Sequence, residues 1–264
     1  MKGAALTPTL HSHQGYNRSM EFMCSRCGRT DEVVGDDSPL CLYCRAPLIK
    51  ATHTYEGLWM SPEFVLSRMR KVVEKHGFER AGTGRFKRER EASTSGLYAL
   101  ALSEMYGKKY WIEIETVEQT PDTMVHHLNQ SAGHNNIETQ NIEVVDWEQH
   151  VDDPMSLVSV KCQKSYPSNF CLLIAARRET MLYPQMVASD IRKMCVPFAE
   201  IWIVGVSTDT TAHVVRLHPT TLPLQFDIRE ALKRARVDAD LLRRGQRGSS
   251  TEFVSLGATY LPIP

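Results

Sequence analysis

No stretch of the 264 residues approaches the roughly 18 uninterrupted apolar residues of a membrane-spanning helix, so no membrane partner is expected. Net charge is missing too, because 31 Lys and Arg residues offset 31 Asp and Glu residues. That excludes a chain that is basic throughout, the simplest way to neutralise a run of phosphates. No internal repeat is present, which excludes solenoids and propellers. The N-terminus carries only Lys2 before an apolar run that Pro8 breaks and histidines follow, so no secretory leader is expected and the compartment is read as a reducing cytoplasm. What is present is ordinary: 42% hydrophobic and 23% charged residues exclude wholesale disorder and allow a sizeable core.

The neutrality is a sum over unlike segments. From Glu63 to Lys109 basic residues dominate, among them Arg85, Lys87, Arg88 and Arg90. From Trp111 to Val160 there is no Lys or Arg, while Glu113, Asp122, Glu143 and Asp146 are among the acids. A second basic stretch contains Arg229, Lys233, Arg234 and Arg236. The two basic stretches are the candidate nucleic-acid contacts, and solvated helix faces are the bland reading of either.

The pattern predicts a flexible tail over 1–20, a small cysteine-bearing module over 21–50, a main domain over 61–240 and a C-terminal tail over 241–264. Ser61-Pro62-Glu63 reads as a helix N-cap with Pro at the first turn, the helix running to Gly77. Phe78 to Arg90 reads as a turn or hairpin, and a second helix is expected over Ser95 to Met105, stopped by Gly107. Tyr110 to Val117 alternates as a strand should, Gln119 to Gln140 reads as loop, and Ile142 to Val145 as a short strand before a helical turn capped by Asp146. Leu157 to Val160, Phe170 to Ala176, Ile201 to Val206 and His213 to Leu217 read as strands, with helices over Met186 to Cys195 and Asp227 to Arg236. The fold class is therefore α/β, in the sense of a mixed α+β domain. Cys162, Cys171 and Cys195 sit among apolar residues and read as small hydrophobes.

Cys24-Ser-Arg-Cys27 and Cys41-Leu-Tyr-Cys44 are two CxxC knuckles in a segment too short to fold on apolar burial alone. Four thiolates in a tetrahedron suit Zn²⁺ and leave no open position, so the site is structural. Glu21 to Lys50 resembles the zinc ribbon family, which adds an N-terminal four-cysteine zinc module and a possible protein partner.

Val125-His126-His127-Leu128-Asn129, Asn141-Ile142-Glu143-Val144 and His150 resemble the HNH endonuclease family. That resemblance implies His127 as general base, Asn141 as the residue that orients it, and His126 and His150 as ligands of a catalytic Mg²⁺ or Mn²⁺. It also implies hydrolysis of phosphodiester bonds, in DNA in preference to RNA. A helix opening within Asp146 to His150 is part of that expectation.

The order helix, three strands, helix, strand from Ser95 to Val206 resembles a different family, the PD-(D/E)XK nucleases. Pro121-Asp122 stands for the PD, and Glu143-Val144-Val145 has Val where that motif has Lys; Lys161, two residues after Ser159, is equally incomplete as an acid-x-Lys. This resemblance implies a degenerate, non-catalytic version that binds nucleic acid or a protein subunit.

Overall fold

A computed structural model of the protein describes residues 20–24, 30–33, 48–50, 58–114, 121–131, 134–151, 153–167, 169–177, 183–207, 210–235, 241–244 and 253–255. Strands β1 (Met20–Cys24), β2 (Thr30–Val33) and β3 (Leu48–Lys50) form a three-stranded antiparallel sheet in the order β2-β1-β3. Cys24 closes β1; Cys27, Cys41 and Cys44 lie outside the described residues.

After β4 (Leu58–Met60), helix α1 (Pro62–His76) begins as its sequence predicts: Ser61 Oγ accepts the Phe64 N–H at 3.1 Å, and Gly77 ends the helix at φ 79°. The next segment departs from expectation. Instead of a hairpin, a four-residue helix α2 (Phe78–Ala81) and a 3-10 turn (Gly84–Phe86) lead into α3 (Lys87–Tyr106), eight residues earlier than Ser95. Gly82 and Gly84 confine the break to a short link, and the charged first turns of α3 are held by partners. Lys87 pairs with Glu91 one turn on, and Glu89 with Arg68 of α1. Every residue from Arg90 to Ser103 is buried, so α3 is enclosed on all sides. Small residues permit this. A Cβ on Gly96 would stand 2.6 Å from Val65 Cγ2 of α1.

Strands β5 (Tyr110–Ile114), β6 (Thr123–Ser131) and β7 (His134–Trp147) run antiparallel to one another, with Thr123 opposite Ile142 and His126 opposite Thr139. The polar segment expected as loop is thus a long hairpin, and Ile142 to Val145 belongs to a 14-residue strand. Leu157 to Val160 is helical, not extended. Asp153 Oδ1 caps the Met155 N–H at 2.9 Å and Pro154 fixes the first turn of α4 (Pro154–Cys162). β8 (Phe170–Ala176) then returns parallel to β7, α5 (Pro184–Arg192) follows, and β9 (Glu200–Val206) lies parallel to β8. β10 (Thr211–His218) and β11 (Leu222–Asp227) finish that edge antiparallel, before α6 (Ile228–Arg234) with Asp227 as N-cap.

The main sheet is mixed, in the order β11-β10-β9-β8-β7-β6-β5-β4, extended at the β4 edge by β12 (Leu241–Arg244) and β13 (Phe253–Ser255). These two strands fall within the segment expected to be a C-terminal tail. One apolar core unites α1, α3 and α6 with one face of the sheet; a second unites α4 and α5 with the other. β8, between them, is buried on both faces as its continuous apolar run predicts. Cys171 is buried in it, whereas Cys195 is exposed, against expectation. Among the described residues no helix is long and apolar enough to cross a membrane.

The Gly96 contact yields a test. Gly96→Ala gains helix propensity, about 1 kcal/mol, but forces α1 away from α3, and overpacking of this kind costs about 1–3 kcal/mol. A lower melting temperature is expected, with the loss smaller when Val65→Ala is added; a Gly96→Ala protein that melts higher than wild type would show that α1 yields freely.

Candidate active site

The four residues of the HNH expectation are not brought together. His126 and His127 are adjacent on β6 and so point to opposite faces of the sheet. His126, 4% exposed, bonds Glu113 Oε2 through Nε2 and Thr139 Oγ1 through Nδ1, both at 2.9 Å. His127 Nδ1 meets the Lys109 carbonyl at 3.0 Å. His150 lies beyond the far end of β7, exposed beside Glu148. Opposite His127 stands Glu138, and the nine residues from there to Trp147 span about 30 Å of strand, so His126 and His150 cannot share one cation. Asn141 lies between, opposite Met124. No helix follows in the position the motif requires, because β7 continues through Asp146.

A different group is assembled instead. Asp122 immediately precedes β6 and continues its register, so that it stands opposite Glu143 of β7. Its N–H donates to the Ile142 carbonyl at 2.9 Å, and its Oδ2 accepts the Val144 N–H at 2.8 Å. Both carboxylates therefore share the sheet face on which α4 packs. Lys161, in the last turn of α4, donates from Nζ to Glu143 Oε1. Lys161 thus reaches Glu143 from the following helix, whereas the strand itself carries Val145 two residues on. From the other side, Lys87 of α3 bridges Glu91 Oε1 at 3.2 Å and Asp122 Oδ1 at 3.8 Å.

The electrostatics fit a crowded carboxylate cluster. Burial, reinforced by the Asp122 charge, pushes Glu91 from an ordinary 4.5 up to about 7, although Lys87 pulls it down. Asp122 is raised by burial and by Glu143, against the pull of the Val144 N–H, Lys87 and Lys161. Burial opposes the Lys87 ammonium, but Glu91 and Asp122 together hold it above its usual range. Tyr166, in the loop after α4, is raised by burial and by the facing Glu143 carboxylate. Neither its hydroxyl nor Glu143 Oε2 completes a hydrogen bond of good geometry, and both are buried.

Beside this group, Arg90 and Arg177 close on Asp146. Arg90 Nη2 lies 3.1 Å from Oδ2 and Arg177 Nε 3.0 Å from Oδ1, while Arg90 also donates to the Ala81 and Thr83 carbonyls. Arg90, expected as a nucleic-acid contact, is therefore committed to joining α3 to β7. Arg85, in the 3-10 turn, and Lys87, which opens α3, are exposed, and Arg88 is half-buried. Arg229, Lys233 and Arg234 belong to α6, where all three are exposed. Arg234 grips Glu104 at 2.8 and 2.9 Å, about 20 Å along α3 from Glu91. Arg236 lies outside the described residues.

Compared with protein-family models, curated proteins and solved structures, the chain matches none.

The raised Glu91 carboxyl predicts a pH dependence of stability. Between about pH 4.5 and 7 the folded state holds a proton there that the unfolded chain releases, so stability falls as pH rises through that window. Glu91→Gln removes the effect. In urea unfolding from pH 5 to 8, the variant should gain on wild type as pH rises; a difference that stays constant would overturn the assignment.

Proposed function

We propose that the chain is a metal-dependent nuclease of the PD-(D/E)XK kind, with Asp122 and Glu143 as its carboxylate pair and Lys161 as the third signature residue. The observation that carries this reading is the ion pair from Lys161 of α4 to Glu143, because it supplies the cation whose absence from the strand implied a degenerate site. The chain order supports it: α3, the antiparallel β5-β6-β7, α4 and the parallel β8 are the helix, three strands, helix and strand of that family. Nucleic acid, and DNA first, is the proposed substrate.

The donor set fits a hard divalent cation. Asp122 and Glu143 offer only carboxylate oxygens, which suit Mg²⁺ or Mn²⁺, and Glu143 Oε2 is buried without a partner. Among the described residues no three His, Cys, Asp or Glu side chains are gathered to hold an ion by themselves. Asp122 and Glu143 would therefore hold a cation that completes its shell with water and phosphate oxygens, as Mg²⁺ does. Such an ion supplies positive charge to the phosphoryl oxygens and lowers the pKa of bound water. Lys161 stands beside Glu143, where its side chain can orient the attacking water and stabilise negative charge on the phosphoryl oxygens. Glu91, whose carboxyl changes charge near neutral pH, is placed to exchange a proton through Asp122 and Lys87. Arg85, Lys87 and Arg88 line the approach from the start of α3. In hydrolysis water adds to phosphorus, the P–O bond to the leaving sugar oxygen breaks, and that oxygen takes up a proton.

Incubation of the full chain with plasmid and Mg²⁺ or Mn²⁺ tests the reading. Metal-dependent nicking is expected, abolished by Asp122→Asn or Glu143→Gln, reduced about 10²-fold or more by Lys161→Met, and unchanged by His127→Ala. No nicking by wild type, or loss with His127→Ala alone, would overturn it; the former result favours the non-catalytic binding subunit.

The four-cysteine module belongs to the same proposal as a structural zinc ribbon that contacts nucleic acid or a protein partner. One zinc per chain is expected by elemental analysis, lost in Cys41→Ser, while the main thermal transition persists because the α/β domain has its own cores. A zinc-free wild-type chain would remove the ribbon from the account.

A further inference from the structure

Lys161 accounts for one oxygen of Glu143, and the other is an orphan. Glu143 is 3% exposed, its Oε1 accepts from Lys161 Nζ, and its Oε2 is buried with no hydrogen-bond partner. The Tyr166 hydroxyl, on the loop that follows α4, is buried and unpartnered as well, and it faces the same carboxylate. Two unmet polar atoms in one buried place are costly.

Neither group is free to swing onto the other. The Tyr166 ring is wedged between Phe170 of β8 and Phe198 ahead of β9, with centroids 5.4 and 4.8 Å away. Its loop is tied on both sides, because the Lys164 N–H donates to the Lys161 carbonyl at 3.0 Å and the Phe170 N–H to the Pro167 carbonyl at 3.1 Å. Glu143 is fixed by Lys161 and by strand pairing to β6 and β8. Whatever meets both atoms must be small, since neither is open to solvent. Water fits, because a buried water uses about two to four polar partners, and a phenol can donate to it or accept from it. The contact therefore holds whichever way the hydroxyl proton points. The neighbouring Asp122 is only half-buried, so the recess adjoins solvent on that side.

We propose that Tyr166 and Glu143 Oε2 hold between them the water that attacks phosphorus, with Tyr166 a catalytic residue that fixes the direction of attack. The inference rests on the nuclease reading of Asp122 and Glu143. Burial, and after it the facing Glu143 carboxylate, raise the phenol above its ordinary range, so it keeps its proton at neutral pH. Tyr166 orients the water and exchanges no proton with it; the bonds made and broken are those of the hydrolysis above.

Tyr166→Phe tests this, because it keeps the ring between Phe170 and Phe198 and removes only the hydroxyl. With the full chain in excess over plasmid in Mg²⁺, the rate constant for nicking is expected to fall about 10- to 10²-fold. Affinity for a labelled duplex, read by fluorescence anisotropy in Ca²⁺, stays at the wild-type value. A crystal structure in Ca²⁺ is expected to show an ordered water within about 3 Å of both the Tyr166 oxygen and Glu143 Oε2, and that water is absent from Tyr166→Phe. A tyrosine that only supported the fold would instead lower the melting temperature and leave the nicking rate alone. Equal nicking by Tyr166→Phe, a loss confined to DNA affinity, or no shared water in wild type overturns the role of Tyr166, while metal-dependent nicking keeps the nuclease reading. No nicking by wild type in either Mg²⁺ or Mn²⁺ overturns both.

Discussion

The register between β6 and β7 is the constraint on which the rest depends. Thr123 faces Ile142, and from that pairing follow the shared face of Asp122 and Glu143 and the meeting of His126 with Thr139. A slip of one residue would turn Glu143 toward α3 and bury Val144 beside Lys161. Three interactions oppose such a slip, each from a different direction. Asp122 takes the Val144 N–H at the strand's end. The Thr123 hydroxyl pairs with Ser95 of α3 at 2.6 Å. The Glu113 carboxylate holds His126 from β5. The strongest pinning is polar, in a hairpin whose apolar residues are too few to set register alone.

The second constraint is the enclosure of α3. A helix buried from Arg90 to Ser103 needs small side chains toward α1 and satisfied charges at its start. Arg90 meets the second requirement by donating to two carbonyls of the preceding link and to Asp146 at the end of β7. Arg177 completes the arrangement from the end of β8 and also reaches Thr94 at 3.1 Å. Arg90, one of the candidate nucleic-acid contacts, is thereby committed, with Arg177, to fixing the helix that carries Lys87 and Glu91. Removing either partner would strand a charge in a poorly solvated place, the more damaging kind of loss.

Legibility in the sequence followed the physics of each segment. α1, β8, β9 and the stop at Gly107 were readable because caps, a left-handed glycine and apolar periodicity act locally. The β6–β7 hairpin was not, since His126, Thr139 and Gln140 are polar and the first of them is buried only through partners on other strands. Leu157 to Val160 misled for the opposite reason. Its β-branched apolar run suits a strand or a buried helix equally, and Asp153-Pro154 decides the matter a few residues upstream. The candidate site was half legible. Asp122 and Glu143 were visible as a proline-preceded acid and an acid on a strand, but the lysine that completes them is 18 residues beyond Glu143 on another element, where no spacing rule would seek it. Glu91 gave no signal because it directly follows a segment read as a turn.

Placing that lysine on a helix changes how it is aimed. On a strand a side chain has two directions, so a lysine at Val145 would face the carboxylates by parity alone. On α4 each residue advances about 100° around the axis, and the angular phase is set where the helix starts. Asp153 and Pro154, about two turns upstream of Lys161, therefore act as its sighting point. A single inserted residue between them and Lys161 would rotate the ammonium away from Glu143 while leaving every carboxylate in place.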